Sequence, residues 1–151
     1  MKVRDIMMAQ PKTASPGTTL AAAAHLLWDA DCGILPVVEG GKLVGVVTDR
    51  DMYIALATRN KPASQVTVGD VATGTVWACG PDDDVHVALD TMKARRVRRL
   101  PVVADGSLVG MISMNNIVLA AGTGKAVGNE EVVDTFKAIC ARPSVAAAAA
   151  A

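Results

Sequence analysis

Residues 45–51 read GVVTDRD, so the polar side chains of Thr48 and Asp51 follow a short apolar run. The apolar run predicts a strand and residues 49–58 predict a helix, so Thr48 lies where a strand ends and a helix begins. Free backbone N–H groups and the helix dipole attract phosphate at such a junction, and the Thr48 hydroxyl can add a donor. Asp51 lies three residues on and therefore on the same face, where its carboxylate can accept hydrogen bonds from a pair of sugar hydroxyls.

The same residue types also have a purely structural use. Thr48 or Asp49 can cap the helix, and Asp51 can complement the positive end of its dipole. Taken alone, this segment favours the cap over a phosphate site. The surrounding chain must therefore decide between the two interpretations.

A basic run at residues 93–99, KARRVRR, is the second feature that could bind a ligand. For Lys93, Arg95 and Arg96 the simplest interpretation is a solvated helix end whose cations complement the C-terminal dipole. Nucleic acid is a weaker alternative, because the run lacks aromatic residues and a reading helix and the whole chain has a formal net charge of zero.

Metal binding and catalysis have little support. Asp82, His86 and Asp90 recur every four residues, which permits a metal site on one helix face, but acidic helix starts and single surface histidines are common. We predict neither a metal nor a cofactor. The chain shows no serine elbow, Cys/His pair or paired carboxylates, so we do not expect an enzyme.

An internal repeat organises the chain. An offset of 65 residues takes Val3 to Val68 and holds without a gap from residue 3 to residue 56. It also superimposes prolines and glycines, which constrain the backbone more than apolar residues do. The matched positions are Pro16 and Pro81, residues 35–38 and 100–103 (both LPVV), Gly41 and Gly106, residues 43–45 and 108–110 (both LVG), and Thr48 and Ser113. We therefore expect two copies of one fold.

Each copy predicts the order extended segment, helix, strand, turn, strand, helix, which is an α+β fold. In the first copy we expect helices at 19–30 and 49–58 and strands at 34–38 and 43–47. In the second copy a helix is expected after residues 81–84 and another at 114–121.

Beyond the repeats we expect one more helix. The predicted parts are repeat 1 at 1–60, repeat 2 at 61–124, and a C-terminal helix with an Ala-rich tail at 125–151. Asn129 can cap this helix, predicted at 130–141. Its apolar stripe predicts packing on the repeats or on a second subunit, and consists of Val132, Val133, Phe136, Ile139 and Cys140.

Composition supports a folded cytoplasmic protein. Apolar residues make up 51% of the chain, which is enough for a core. Three cysteines without a CxxC pair fit a reducing compartment, and we expect neither a membrane span nor a signal peptide.

The pattern of glycine, two apolar residues, Thr or Ser, two variable residues and Asp resembles the ligand signature of the CBS family. The resemblance covers both repeats, roughly residues 1–121. It implies that the repeats pack as a pseudo-twofold pair, a Bateman module, with adenosine-containing ligands in clefts between them. It further implies that Thr48 binds phosphate or ribose and Asp51 binds the ribose hydroxyls, while Thr13 and Ala14 lie along the adenine.

The resemblance also predicts that the two sites differ. In the second copy Asn116 stands where the signature has Asp, so we expect a weaker second site at Ser113 and Asn116. In the family, basic residues just before the strand that here contains Leu100 and Pro101 reach phosphates held by the opposite repeat. Arg98 and Arg99 are therefore expected to face the pocket of Thr48 and Asp51.

By resemblance, the expected function is a regulatory sensor for AMP, ADP, ATP, NAD or S-adenosylmethionine. The alternative is a ligand-free pair that serves interaction or dimerisation in a stress response, as stand-alone bacterial two-CBS proteins of the hypoxic-response type suggest. A homodimer through the helices is expected by the same resemblance.

Overall fold

The structure is a computed structural model that describes residues 1–122 and 127–141. The Ala-rich tail predicted at 146–151 lies outside the described residues. In chain order the helices and strands are β1 (Met8–Ala9), α1 (Leu20–Asp29), β2 (Ile34–Glu39), β3 (Lys42–Thr48), α2 (Asp49–Arg59), α3 (Val85–Arg95), β4 (Arg99–Ala104), β5 (Ser107–Ser113), α4 (Met114–Ala120) and α5 (Asn129–Cys140). None of the helices in these ranges is both long and apolar enough to span a membrane.

Two antiparallel hairpins form the centre of one mixed α+β fold, as predicted. β2 pairs with β3 and β4 pairs with β5, each with a register shift at the equivalent position. The hairpins join edge to edge through a single pairing of Lys42 with Ser107, and β1 pairs with β5. Two copies of the helix, hairpin and helix unit therefore share one sheet.

Local signals in the sequence place the ends of most elements. Thr19 caps α1 by accepting a hydrogen bond from the backbone of Ala22, and Asp84 caps α3. The hairpin glycines Gly41 and Gly106 both have φ of +80°, a left-handed conformation that favours glycine. The predicted cap of α5 differs, because Asn129 is its first helical residue and the capping position is Gly128.

The segment that leads into each repeat packs on the other repeat. The backbone N–H of Val3 donates to the carbonyl of Asp83 (2.9 Å), and at the same offset that of Val68 donates to Thr18 (2.7 Å). The side chains follow, since Val3 lies in the core of the second hairpin and Val68 in the core of the first. We call residues 1–9 and 66–73 the crossing segments. The predicted boundary at residue 60 separates the sequence repeats, but the packed halves exchange these segments.

Close approach of the crossing segments explains why glycine occupies the start of each signature. A Cβ atom at Gly45 would lie 3.0 Å from the carbonyl oxygen of Thr73. At Gly110 it would lie 2.6 Å from the sulfur of Met7 and 3.0 Å from the carbonyl oxygen of Met8. Only a residue without a side chain leaves room for the crossing backbone.

The C-terminal helix α5 packs on the second half against α3 and α4. Val132 is buried in the second core, and Phe136 and Ile139 pack against it. Val133 and Cys140, which the predicted stripe included, are exposed instead. The buried face of α5 is therefore narrower than the sequence pattern suggested.

A substitution at Val3 tests whether the first crossing segment packs on the second half. Val3 is 0% exposed although it lies near the N-terminus, so we expect Val3→Ala to lower the free energy of unfolding by about 2 kcal/mol through the cavity it leaves. Val44, which is 40% exposed on β3, is the matched control, and Val44→Ala should cost less than about 1 kcal/mol. Urea denaturation measures both, and equal losses would contradict the packing of residues 1–9 on the second half.

Candidate functional site

A cavity of about 620 Å³ lies between the two halves of the fold. We call it the first cavity. Its walls come from the junction of β3 and α2, from the entry of β4, and from the chain just after the second crossing segment. The lining residues are Gly33, Ile34, Val46, Thr48, Asp49, Arg50, Asp51, Thr73, Thr75, Val76, Trp77, Val97, Arg98, Arg99 and Pro101.

Thr48 and Asp51 form a capping box at the start of α2. The Thr48 N–H and hydroxyl both donate to Oδ2 of Asp51, at 3.0 and 2.6 Å, and the Asp51 N–H donates back to the hydroxyl at 3.1 Å. Thr48 and Asp51 therefore do cap helix α2, which is the structural role considered for them in the sequence. Within the described residues Oδ1 of Asp51 has no hydrogen-bond partner, so the same carboxylate can still accept a hydrogen bond from a ligand.

Cations face this carboxylate across the cavity. Arg98 and Arg99 lie at the entry of β4, after the left-handed Arg96 ends α3, and Arg50 follows Thr48 on the opposite wall. In residues 1–122 and 127–141 none of the three lining arginines forms an ion pair. The cavity therefore combines the Asp51 acceptor with unpaired positive charge from Arg98 and Arg99 on the facing wall and from Arg50 on its own wall.

Thr13 and Ala14, which the resemblance places along the adenine, are not among the residues that line the first cavity. Ala14 is buried and pairs with Val37 beside β2. Thr73, Thr75, Val76 and Trp77 of the second repeat line the first cavity. The crossing segment brings this part of the chain to β3, where Thr73 pairs with Val46. The sequence shows which segments lead into the repeats but not which half each one joins.

A second cavity of about 430 Å³ lies at the pseudo-equivalent position. It includes Ser113 and Asn116, as well as Arg99, which also lines the first cavity. The lining residues are Met8, Gln10, Pro11, Lys12, Ala30, Asp31, Cys32, Ile34, Pro36, Arg99, Met111, Ser113, Asn115 and Asn116.

The capping box of the second cavity has the opposite outward polarity. The N–H and hydroxyl of Ser113 both donate to Oδ1 of Asn116, at 2.9 and 2.6 Å. Because the box consumes the acceptor of the amide, the Nδ2 group that remains can only donate. Asn116 thus changes the kind of ligand atom that the second cavity can bind, beyond the loss of charge expected from the sequence.

Asp82, His86 and Asp90, whose spacing permits a metal site although none was predicted, have different surroundings. Asp82 precedes α3 and forms ion pairs with Lys2 and Arg4 of the first crossing segment. His86 and Asp90 lie on α3 itself. In the part of the chain that the structure describes, no three His, Cys, Asp or Glu side chains are arranged to hold a metal ion.

The family is decided by a sequence comparison. The family model of the CBS domain matches twice, at residues 3–58 and 68–122. The chain belongs to the CBS-domain family. It is a CBS pair, and proteins that consist of such a pair are typically regulatory.

Curated relatives agree over nearly the whole chain. The CBS domain-containing protein YhcV of Bacillus subtilis is 30% identical over 127 residues, which cover 84% of this chain and 90% of the relative. Hypoxic response protein 1 of Mycobacterium tuberculosis is 30% identical over 144 residues, which cover 95% of this chain and 96% of the relative. The predicted likeness to hypoxic-response proteins is thereby confirmed.

Solved structures show the same CBS-pair fold. A crystal structure of hypoxic response protein I with two coordinated zinc ions matches with a TM-score of 0.72 and 29% identity, and covers 79% of this chain and 98% of that chain. The CBS domain pair of protein MJ0100, in complex with 5′-methylthioadenosine and S-adenosyl-L-methionine, matches with a TM-score of 0.71 and 30% identity. That alignment covers 80% of this chain and 94% of the MJ0100 pair.

His86 connects three parts of the second half of the CBS pair. Its ring hydrogen-bonds Asp84 and lies 3.3 Å from the carboxylate of Glu131 on α5, while the N-terminal amino group of Met1 lies 3.5 Å from Asp84. The Asp84 hydrogen bond, followed by the charge of Glu131, raises the pKa of His86 above its ordinary value of 6.5. Protonated His86 therefore stabilises the packing of α5.

This raised pKa predicts a pH dependence of stability. Because the folded pKa exceeds the unfolded one, the stabilisation is complete below pH 6.5 and is lost as pH rises through the folded pKa. We expect the wild type to lose free energy of unfolding relative to His86→Gln as the pH rises above 6.5, measured by urea denaturation. A difference between the two proteins that stays constant with pH would refute the interaction.

Proposed function

We propose that this CBS pair is a regulatory sensor that binds an adenosine-containing ligand in the first cavity. The observation that carries the proposal is that Asp51 and the pair Arg98 and Arg99 line one cavity from opposite repeats. A carboxylate that can accept from ribose hydroxyls, facing cations that can neutralise phosphate, fits the two ends of a nucleotide. AMP, ADP, ATP, NAD and S-adenosylmethionine are the ligand class.

The size of the first cavity and a solved relative support this choice. At about 620 Å³ it falls within the range of roughly 300–1,000 Å³ that is usual for small-ligand sites. The MJ0100 CBS pair, of the same fold, was crystallised with two adenosine-derived molecules. The proposed ligand and the free cysteines of this chain both fit a cytoplasmic protein.

Ligand binding would act through the packing of the two halves. Thr48 and Asp51 belong to the hairpin and helix of the first repeat, whereas Arg98 and Arg99 belong to the second. A ligand that contacts both walls stabilises the arrangement in which the walls are correctly spaced. A partner that binds this arrangement more tightly is then coupled to ligand concentration.

Asp51→Asn separates ligand binding from helix capping. Asn116 shows that Asn closes the same capping box, so we expect the free energy of unfolding to change by less than about 0.5 kcal/mol. The outward acceptor becomes a donor, and loss of a charge-assisted hydrogen bond should weaken nucleotide affinity by about 1.5–3 kcal/mol, or ten- to a hundredfold. Titration calorimetry with AMP, ADP, ATP, NAD and S-adenosylmethionine measures this effect.

Asn116→Asp is the matched control for that variant. It restores the acceptor in the second cavity and leaves the first unchanged, so nucleotide affinity at the first site should stay at the wild-type value. Absence of heat with all five ligands in the wild type, or an Asp51→Asn variant that binds as tightly as wild type, would overturn the sensor proposal.

A second candidate function is a CBS pair that assembles with itself or a partner protein in a stress response, without needing a ligand. Large apolar side chains on three helices favour it, since Trp28 on α1 is 86% exposed, Tyr53 on α2 is 74% exposed and Leu119 on α4 is 82% exposed. Such side chains are common at the centres of protein interfaces. We propose that they contribute to a homodimer.

Light scattering after size exclusion tests this assembly. We expect the wild type to have the mass of a dimer and Tyr53→Glu to shift toward the monomer, because a buried charge without a partner is costly. Thr58→Glu, at an exposed position of the same helix α2, is the control for one added negative charge. A monomeric wild type would refute the homodimer, and a dimer that survives Tyr53→Glu would place its interface elsewhere.

A further inference from the structure

Trp77 lies in the wall of the first cavity, and the functions derived above do not use it. It is 39% exposed, although an indole ring of this size is usually more deeply buried. It is carried there by the chain that follows the second crossing segment. An aromatic ring at this position is therefore available to a molecule in the cavity.

One face of the Trp77 ring is already occupied. The guanidinium carbon of Arg95 lies 3.6 Å from the ring centroid, a cation–π contact that fixes the orientation of the indole. Arg95 is absent from the cavity lining, so the ring meets the cavity with the part of its surface that Arg95 does not cover. This use of Arg95 also differs from the simple solvated helix end expected from the sequence.

The second cavity provides an internal comparison. At the offset of 65 residues the counterparts of Trp77 and Arg95 are Lys12 and Ala30, and both line the second cavity. The aromatic ring and the cation that supports it are thus features of the first cavity, where Asp51 also presents its acceptor. The two cavities therefore differ at the capping-box residue, Asp51 or Asn116, and at the position of Trp77 or Lys12.

We propose that Trp77 is the platform on which the base of the ligand stacks, and that it makes the first cavity select base-containing ligands over base-free sugar phosphates. This inference rests on the proposed nucleotide site and adds its determinant of specificity. Ile34, Val46 and Val76 also line the cavity and offer apolar surface for a planar base. Aromatic side chains stack on any base, so the site should discriminate the presence of a base more than its identity.

Affinities for AMP and for ribose 5-phosphate test the proposal, because the second ligand keeps the sugar and phosphate but lacks the base. We expect Trp77→Leu to weaken AMP binding on the order of tenfold or more and to leave ribose 5-phosphate binding within about twofold of wild type. Trp77→Phe keeps an aromatic face and should recover most of the AMP affinity. Trp28→Leu is the control for loss of an indole outside both cavity linings. Because Trp28 is proposed to contribute to the homodimer, light scattering compares the mass of each variant with that of the wild type.

Tryptophan fluorescence gives an independent readout. The chain contains two tryptophans, so the Trp28→Leu variant reports Trp77 alone and Trp77→Leu reports Trp28 alone. We expect AMP to change the emission of Trp77 in a saturable way and to leave that of Trp28 unchanged. Ribose 5-phosphate should change neither signal substantially.

The outcomes separate this inference from the function on which it rests. If the wild type binds no adenine nucleotide, the sensor proposal and the role of Trp77 both fail. If the wild type binds AMP and Trp77→Leu binds it equally well, only the role of Trp77 fails. Equal losses for AMP and ribose 5-phosphate would also overturn it, because Trp77 would then shape the cavity without recognising the base.

Discussion

Exchange of the crossing segments is the constraint on which the rest of the structure depends. Residues 1–9 complete the second core and residues 66–73 complete the first, through backbone hydrogen bonds that repeat at the same offset. Neither half has its full core without a segment of the other repeat. The exchange also requires glycine at Gly45 and Gly110. It places Thr73 beside β3 and the following residues up to Trp77 at the first cavity, so it determines which side chains form the cavity wall.

The capping box shows how one pair of side chains serves stability and binding together. In both repeats one side-chain oxygen at the third helical position closes the box, which leaves the other polar atom free. In Asp51 that atom is an acceptor and in Asn116 it is a donor. A single atom therefore gives the two cavities different chemistry while the backbone of the two helix starts remains the same.

The asymmetry of this CBS pair extends beyond the capping box. Trp77 and its supporting Arg95 belong to the first cavity, whereas Lys12 and Ala30 hold the equivalent positions in the second. Helix α5 covers the second half and has no counterpart on the first among the described residues. Arg99 and Ile34, which are equivalent at the offset of 65 residues, both line the two cavities. The two repeats share a fold, yet their cavities offer different groups to a ligand.

The sequence by itself determined the repeat, the α+β order of its elements, the cap at Thr48 and the CBS family, because these depend on local spacing and backbone preference. It also indicated Thr48, Asp51, Arg98 and Arg99 as candidates through the family signature. Only the tertiary structure decided that Thr73 and Trp77 line the first cavity, since this depends on the half that the crossing segment joins. Likewise, the outward atom of Asn116 depends on hydrogen bonds that form only when the helix start is folded. Local patterns encode elements, whereas the composition of a cavity between repeats depends on contacts between residues far apart in the chain.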